Sequence, residues 1–404
     1  MRNPTATGGD PWFGCHPFSQ EFRDDPYPLL ARLRDTAPIH LTPAGIWRVT
    51  RYADVDRLLH DSPVGVRTTD GALPGVDESL TGPREFMLQR DPPAHTRLRK
   101  LVSRAFTPRA IAALEANVAR IVDECLDRVA PRGEMDVVAD LALPVPSTVI
   151  CEMMGVPVAD RDRFTVWTAK ATHALASSFL TPEQLAETQT AAMQLAMYFQ
   201  ELVAARRERL GDDILSELIR AEEAGDHLSP SELLSQAIGL LIAGFETTIG
   251  LIANGVRALV RHPDQLALLR AQPELTRSAL EECLRFDGPI VLTGRVAHED
   301  LAFGDVVIPK DARIWAMLAS ANRDPAVFAD PDRLDVGRDP NPHLAFGGGP
   351  HFCLGAHLAR LEGQLAIGGL VQRFTDLALV EPTVTWGPSL FRVPGRLPLR
   401  FRAA

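Results

Sequence analysis

A chain of 404 residues, 46% hydrophobic and 23% charged, has an ordinary globular composition and could bury a large core, with two or three domains on length alone. A formal net charge of -10 argues against nucleic acid or an anionic membrane as the main partner. Cys15, Cys125, Cys151, Cys283 and Cys353 form no C-x-x-C pair, and they fit reduced thiols in a cytoplasm better than a disulfide framework.

The opening MRNPTATGGDPWFGCHPFSQ holds no apolar stretch, so neither a signal peptide nor an N-terminal anchor is expected. GIWRVT reads as a strand. Residues 62–90, rich in Gly, Pro, Thr and Asp, read as a loop of the length that is usually functional or mobile. TPRAIAALEANVARIVDECLDRVAPRG and TPEQLAETQTAAMQLAMYFQELVAARRERLG both open on Thr-Pro, a cap and first-turn signal, and both end near glycine. Ser229, Pro230 and Glu232 then form a capping box that opens a helix of about 33 residues, stopped by His262-Pro263. Its segment 237–260 is long enough for a membrane span, but Glu246, Asn254 and Arg257 within it favour a buried central helix. DLAFGDVVIPKDARIWAML and LPLRF supply further strands, separated from each other by an irregular run, 321–355. The expectation is mainly α with a smaller β region, in one domain covering 1–404.

Two stretches carry chemistry. LLIAGFETTIG, residues 240–250, sets Glu246, Thr247 and Thr248 inside an apolar helix, where a carboxylate is costly unless paired or employed. HLAFGGGPHFCLGAHLARLE, residues 343–362, is neither a phosphate-binding loop, lacking Gly-Lys-Ser/Thr, nor a dinucleotide turn, lacking the strand and G-x-G-x-x-G spacing. His343, His351, Cys353 and His357 leave zinc open, although no second ligand pair follows. A glycine-rich turn around a structural cysteine is also open. Leu358, Leu361 and Leu365 make a helical stripe, so Cys353 precedes a helix N-terminus, where backbone N–H groups stabilise a thiolate suited to iron.

Phe346, Gly349, Cys353 and Gly355 satisfy F-x-x-G-x-x-x-C-x-G, which resembles the haem-binding loop of cytochrome P450 enzymes. EECLR offers the family's E-x-x-R as Glu282 and Arg285, and Ala243, Gly244, Glu246 and Thr247 match its A-G-x-[DE]-T. The three motifs stand in the family's order and the resemblance spans the chain. It implies the cytochrome P450 fold and haem b with Cys353 as the axial metal ligand. It also implies propionate partners His95 and Arg99 (from DPPAHTRLRKLVSRAF), Arg295 (from TGRVA) and His351. On a helix His95 and Arg99 lie within about 40° of each other, whereas Arg97, Lys100 and Arg104 fall on the other side.

The same resemblance gives Thr247 and Glu246 the catalytic, proton-delivering role, with Ala243 and Gly244 against the haem and Gly244 leaving space for O2. It implies monooxygenation of an apolar or amphipathic small molecule, with electrons from a separate ferredoxin and an NAD(P)H-dependent ferredoxin reductase. A peroxygenase typically replaces the acid–threonine pair, and an inactive P450-like activator of a partner enzyme often lacks the cysteine; both features are present here. A nitric oxide reductase of this fold is a further rival. Pocket segments expected from the family are PIVLTG, SLFRVPG, the 62–90 loop and the 177–182 turn, with Arg67 and Arg84 as the loop cations able to meet an acidic substrate.

Overall fold

The computed structural model describes residues 15–16, 19–74, 85–174, 180–223, 228–387 and 389–403. Arg84 and parts of the 62–90 loop and the 177–182 turn, namely 75–84 and 177–179, therefore lie outside the described residues. The fold is mainly helical with a smaller β portion, as the sequence indicates.

The central helix is Pro230–Arg261, 32 residues long. Ser229 and Glu232 close the capping box reciprocally, worth about 1 kcal/mol for such a cap. Most of its side chains are buried, including Asn254, whose amide donates to the Arg392 carbonyl at 2.8 Å. Length and apolarity alone would let it cross a membrane, yet 72% of its most apolar window is covered by protein. It packs on Thr276–Asp287 and on Ala356–Arg373, the helix that follows the cysteine. Close approach there depends on Gly255, where a Cβ would stand 2.7 Å from Ile367 Cδ1.

The Thr-Pro helix expected at 107 breaks in two, Pro108–Ala112 and Glu115–Val129. Its partner runs unbroken as Pro182–Glu208 behind a Thr181–Gln184 capping box.

The larger sheet has the order Ile39–Leu41, Ile46–Val49, Arg313–Ala316, Thr293–Ala297, Val64–Gly65. Only the pair Ile46–Val49 and Arg313–Ala316 is parallel. This sheet brings Arg295 opposite Ile314 and so sets one wall of the site. A three-stranded sheet joins Glu134–Asp136, Pro398–Ala403 and Phe374–Leu379.

E-x-x-R proves to be the organiser of the irregular run. Glu282 and Arg285 form a fully buried two-point pair, both contacts at 2.7 Å. Glu282 also accepts from Asp335 N–H, Arg338 and Asn341, while Arg285 donates to the carbonyls of Asn322 and Pro331. Asn322 in turn accepts the Leu344 N–H at 2.7 Å, just ahead of the cysteine loop. A chain too rich in Pro, Asp and Gly to form a ladder is thus held by one buried ion pair.

Candidate active site

The central helix, the cysteine loop, the strand Thr293–Ala297, the helix Ala94–Val102 and the segment 86–89 enclose a cavity of about 460 Å³. His95, Arg99, Ala243, Gly244, Thr247, Arg295, Phe346, His351, Cys353 and Gly355 all line it, as the motifs suggest. Glu246 and Gly349 do not.

The reason at Gly349 is backbone shape. Its φ is +63°, and a Cβ there would collide with the Leu59 carbonyl, so it turns the loop and leaves cavity contact to its neighbours. The loop is closed by Cys353 N–H to Phe346 O and Phe352 N–H to Gly349 O, both at 3.0 Å. Arg360 lies 4.5 Å over the Phe346 ring and grips Glu281 at 2.7 and 2.8 Å. Burial would raise the Glu281 carboxyl, but hydrogen bonds from His343 and Arg360 bring it down to about 2. His343 is thus committed to Glu281, His351 packs at a tilt against His95 and His357 is exposed, so the zinc alternative does not assemble. Among the described residues no three His, Cys, Asp or Glu converge as a metal site.

His95 and His351 have ring centroids 4.2 Å apart. Burial first, then the charges of Arg295, His95 and Arg99, drive His351 down to about 3. Burial likewise lowers Arg295 to about 10, against the opposing charge of Asp91. The Nδ1 of His95 is buried with no hydrogen-bond partner among the described residues. Four cationic or donor groups crowding one cavity wall call for anions from outside the chain. Two carboxylates on an apolar ring system fit that wall. The helix Ala94–Val102 divides as expected for its own residues: His95 is buried and Arg99 faces the cavity, while Arg97 and Lys100 are exposed, Arg97 being paired with Glu232. Arg104 is exposed too but lies past the helix end, in the turn Ser103–Phe106.

Cys353 lines the cavity just ahead of the helix Ala356–Arg373. Burial raises its thiol and outweighs the Gly355 N–H, Arg99 and Arg360, which pull the other way.

On the central helix the Thr247 hydroxyl donates to the Ala243 carbonyl at 3.0 Å, which leaves its lone pairs free to accept. A Cβ at Gly244 would make only ordinary contact with Ile150, at 3.6 Å, so neighbouring side chains do not demand glycine there. Glu246 turns away from the cavity. Burial pushes its carboxyl up to about 7, against a Ser389 hydrogen bond and the charge of Arg23, and its Oε2 has no partner among the described residues. Arg23 itself donates to the carbonyls of Gly387 and Ser389.

The motifs do not single out Glu362. It lines the cavity, almost wholly buried, and burial raises it to about 8 despite a hydrogen bond from Thr248. The available signal is an acid interrupting the Leu358–Leu361–Leu365 stripe. Arg67, a candidate for meeting a substrate anion, instead donates to Gln89 O at 2.7 Å and Gly71 O at 2.6 Å and is absent from the cavity wall.

The family model for cytochrome P450 matches residues 10–383. The cytochrome P450 monooxygenase PikC of Streptomyces venezuelae is 42% identical, covering 98% of this chain and 96% of that protein. The 6-deoxyerythronolide B hydroxylase of Saccharopolyspora erythraea is 39% identical over 95% of this chain and 97% of its own length. Among solved structures, P450BioI in complex with an acyl carrier protein ligated to hexadec-9Z-enoic acid superimposes with a TM-score of 0.88 at 38% identity. That match covers 95% of this chain and all of the other. With a cysteine loop, an anion-seeking wall and an acid–threonine helix all facing or flanking one cavity, this chain belongs to the cytochrome P450 family and is a haem-thiolate monooxygenase.

Proposed function

We propose that the chain acts as one P450 domain on a sizeable apolar or amphipathic natural product, such as a polyketide, terpenoid or steroid, and hydroxylates it at unactivated carbon. Electrons come from a separate ferredoxin and its NAD(P)H-dependent reductase, in the cytoplasm, where the five free cysteines are at home.

The observation that carries this reading is the cavity lining. Apart from the four-residue anion wall and Glu362, no charged side chain among the described residues lines it. The rest of the wall is mainly apolar, with Ile238, Leu240, Ile242, Ile290, Leu390 and Phe391 among its members and Gln89, Ser235, Thr247, Thr248 and Thr293 as uncharged polar ones, which suits a ligand held chiefly by hydrophobic burial. The names of relatives agree: a 6-deoxyerythronolide B hydroxylase, a vitamin D(3) 25-hydroxylase and a P450 solved with testosterone.

When bound, the haem supplies dioxygen activation, its cysteinate ligand donating charge that favours O–O cleavage. Cys353 would ligate the iron, and His95, Arg99, Arg295 and His351 would hold the two carboxylates. Thr247 accepts a hydrogen bond from water at the cavity, its own proton being engaged by Ala243. Glu246, its carboxyl raised by burial to about 7, passes protons from the Arg23–Ser389 side. Both residues together also favour the monooxygenase over a peroxygenase.

Titrating the ferric protein with a steroid, a macrolide and a short-chain carboxylate tests the reading. Loss of the water ligand, seen as a spin-state change, is expected for the first two. A response to the carboxylate alone would contradict it.

A further inference from the structure

The end of the 62–90 loop that reaches the cavity is seated on the central helix by contacts that no family motif contains. Gln236 is fully buried and uses both ends of its amide: its Oε1 accepts the Met87 N–H at 3.2 Å and its Nε2 donates to the Glu85 carbonyl at 2.6 Å. One residue earlier, the hydroxyl of buried Ser235 accepts the Glu85 N–H at 3.1 Å. One turn later, Gly239 has no side chain, and the Phe86 ring occupies the space a Cβ would need. Phe86, Met87, Ser235 and Gly239 all line the cavity. At its other end the segment is tied to the first leg of the loop, where Asp91 accepts the N–H groups of Val66 and Arg67 at 2.8 and 3.0 Å.

We propose that Ser235, Gln236 and Gly239 form a built seat for residues 85–87, so that Phe86 is a fixed wall of the substrate cavity and sets the length of ligand admitted. Gln236 is the positioning residue, since it satisfies two backbone groups that would otherwise be buried unpaired. Gly239 is the steric half of the seat. Alanine is the better helix former at this position, so a cost of placing it there comes from the ring it displaces. Side-chain amide to backbone bonding gives the segment a single register, which apolar packing of Phe86 alone would not. The inference rests on the apolar reading of the cavity, because it concerns which apolar molecule fits.

The test uses the ferric holoprotein and the probes N-butyl-, N-octyl- and N-dodecylimidazole, whose ring nitrogen reports its own binding through the haem spectrum. In the parent protein affinity rises with tail length. In Gly239→Ala the displaced ring intrudes, and the dodecyl-to-butyl ratio of dissociation constants rises by about tenfold. In the Phe86→Ala background the same alanine has free space, and its effect on the ratio shrinks below about threefold. A separate readout is hydrogen exchange. Gln236→Leu should speed exchange at the amides of residues 85–87 by about tenfold or more, and Gln236→Glu, which keeps the acceptor for Met87, should recover part of the protection. An unchanged ratio in Gly239→Ala, an equal change with and without Phe86, or unaltered exchange in Gln236→Leu would overturn the seat. Binding without any tail-length dependence in the parent protein would instead overturn the apolar reading on which it rests.

Discussion

Thr247 and Glu246 sit one residue apart and do different work because the helix turns them to different surroundings. Thr247 opens on the cavity; Glu246 is buried against the Ser389 turn and Arg23. Thr247→Ala and Glu246→Gln should each keep haem content while product per NAD(P)H falls about tenfold or more, with peroxide or water formed instead. Unaltered coupling in both would remove the role. The raised Glu246 carboxyl also has a pH signature. Its value moves from an ordinary 4.5 to about 7 in the fold, so the folded chain holds the extra proton. Its contribution is therefore fully present below pH 4.5 and is lost as pH rises through 7. Glu246→Gln should flatten the stability profile across that window in denaturant titrations; an unchanged slope would contradict the assignment. These two residues were legible in the sequence because a polar trio inside an apolar helix needs a reason. Glu362 was not, since one acid in an amphipathic helix resembles a solvated face until the packing shows it buried.

Among the elements, the capped helices and the strands of 301–316 follow directly from local signals, because caps and alternation act within a few residues. The short strands Ile39–Leu41 and Glu134–Asp136 do not, since pairing with distant chain makes them strands. The run 321–355 reads as shapeless, yet it is fixed by the Glu282–Arg285 hub, whose partners lie 37 to 59 residues away. Removing one member of a buried pair strands the other. Arg285→Met should lower unfolding free energy by about 3–5 kcal/mol and release haem at lower temperature. Arg285→Lys should rescue little, because a point charge cannot replace the fork that serves Glu282 and three carbonyls at once. Near-complete rescue by lysine would show that charge alone suffices.

At the scale of the whole molecule, an acidic chain of net charge -10 carries exposed Lys100 on the outward face of the helix Ala94–Val102, whose inward face holds His95 and Arg99, and exposed Arg104 in the turn that follows it. Arg97 is already paired with Glu232, which leaves Lys100 and Arg104 as the better test of donor steering. Reversing both charges should slow ferredoxin-driven turnover several-fold at low salt and less at high salt, while the peroxide-driven reaction is spared. Equal loss in both assays would indicate damage to the haem site instead. Everything rests on one atom, the Cys353 sulfur at the cavity wall. The most direct measurement is the absorption spectrum of the reduced protein under carbon monoxide, for the parent chain and for Cys353→His. The parent should show a Soret band shifted well to the red of an imidazole-ligated haem, and the variant should retain some haem without that band. A parent protein that holds zinc and no haem, or a red-shifted band that survives the loss of Cys353, would contradict the account.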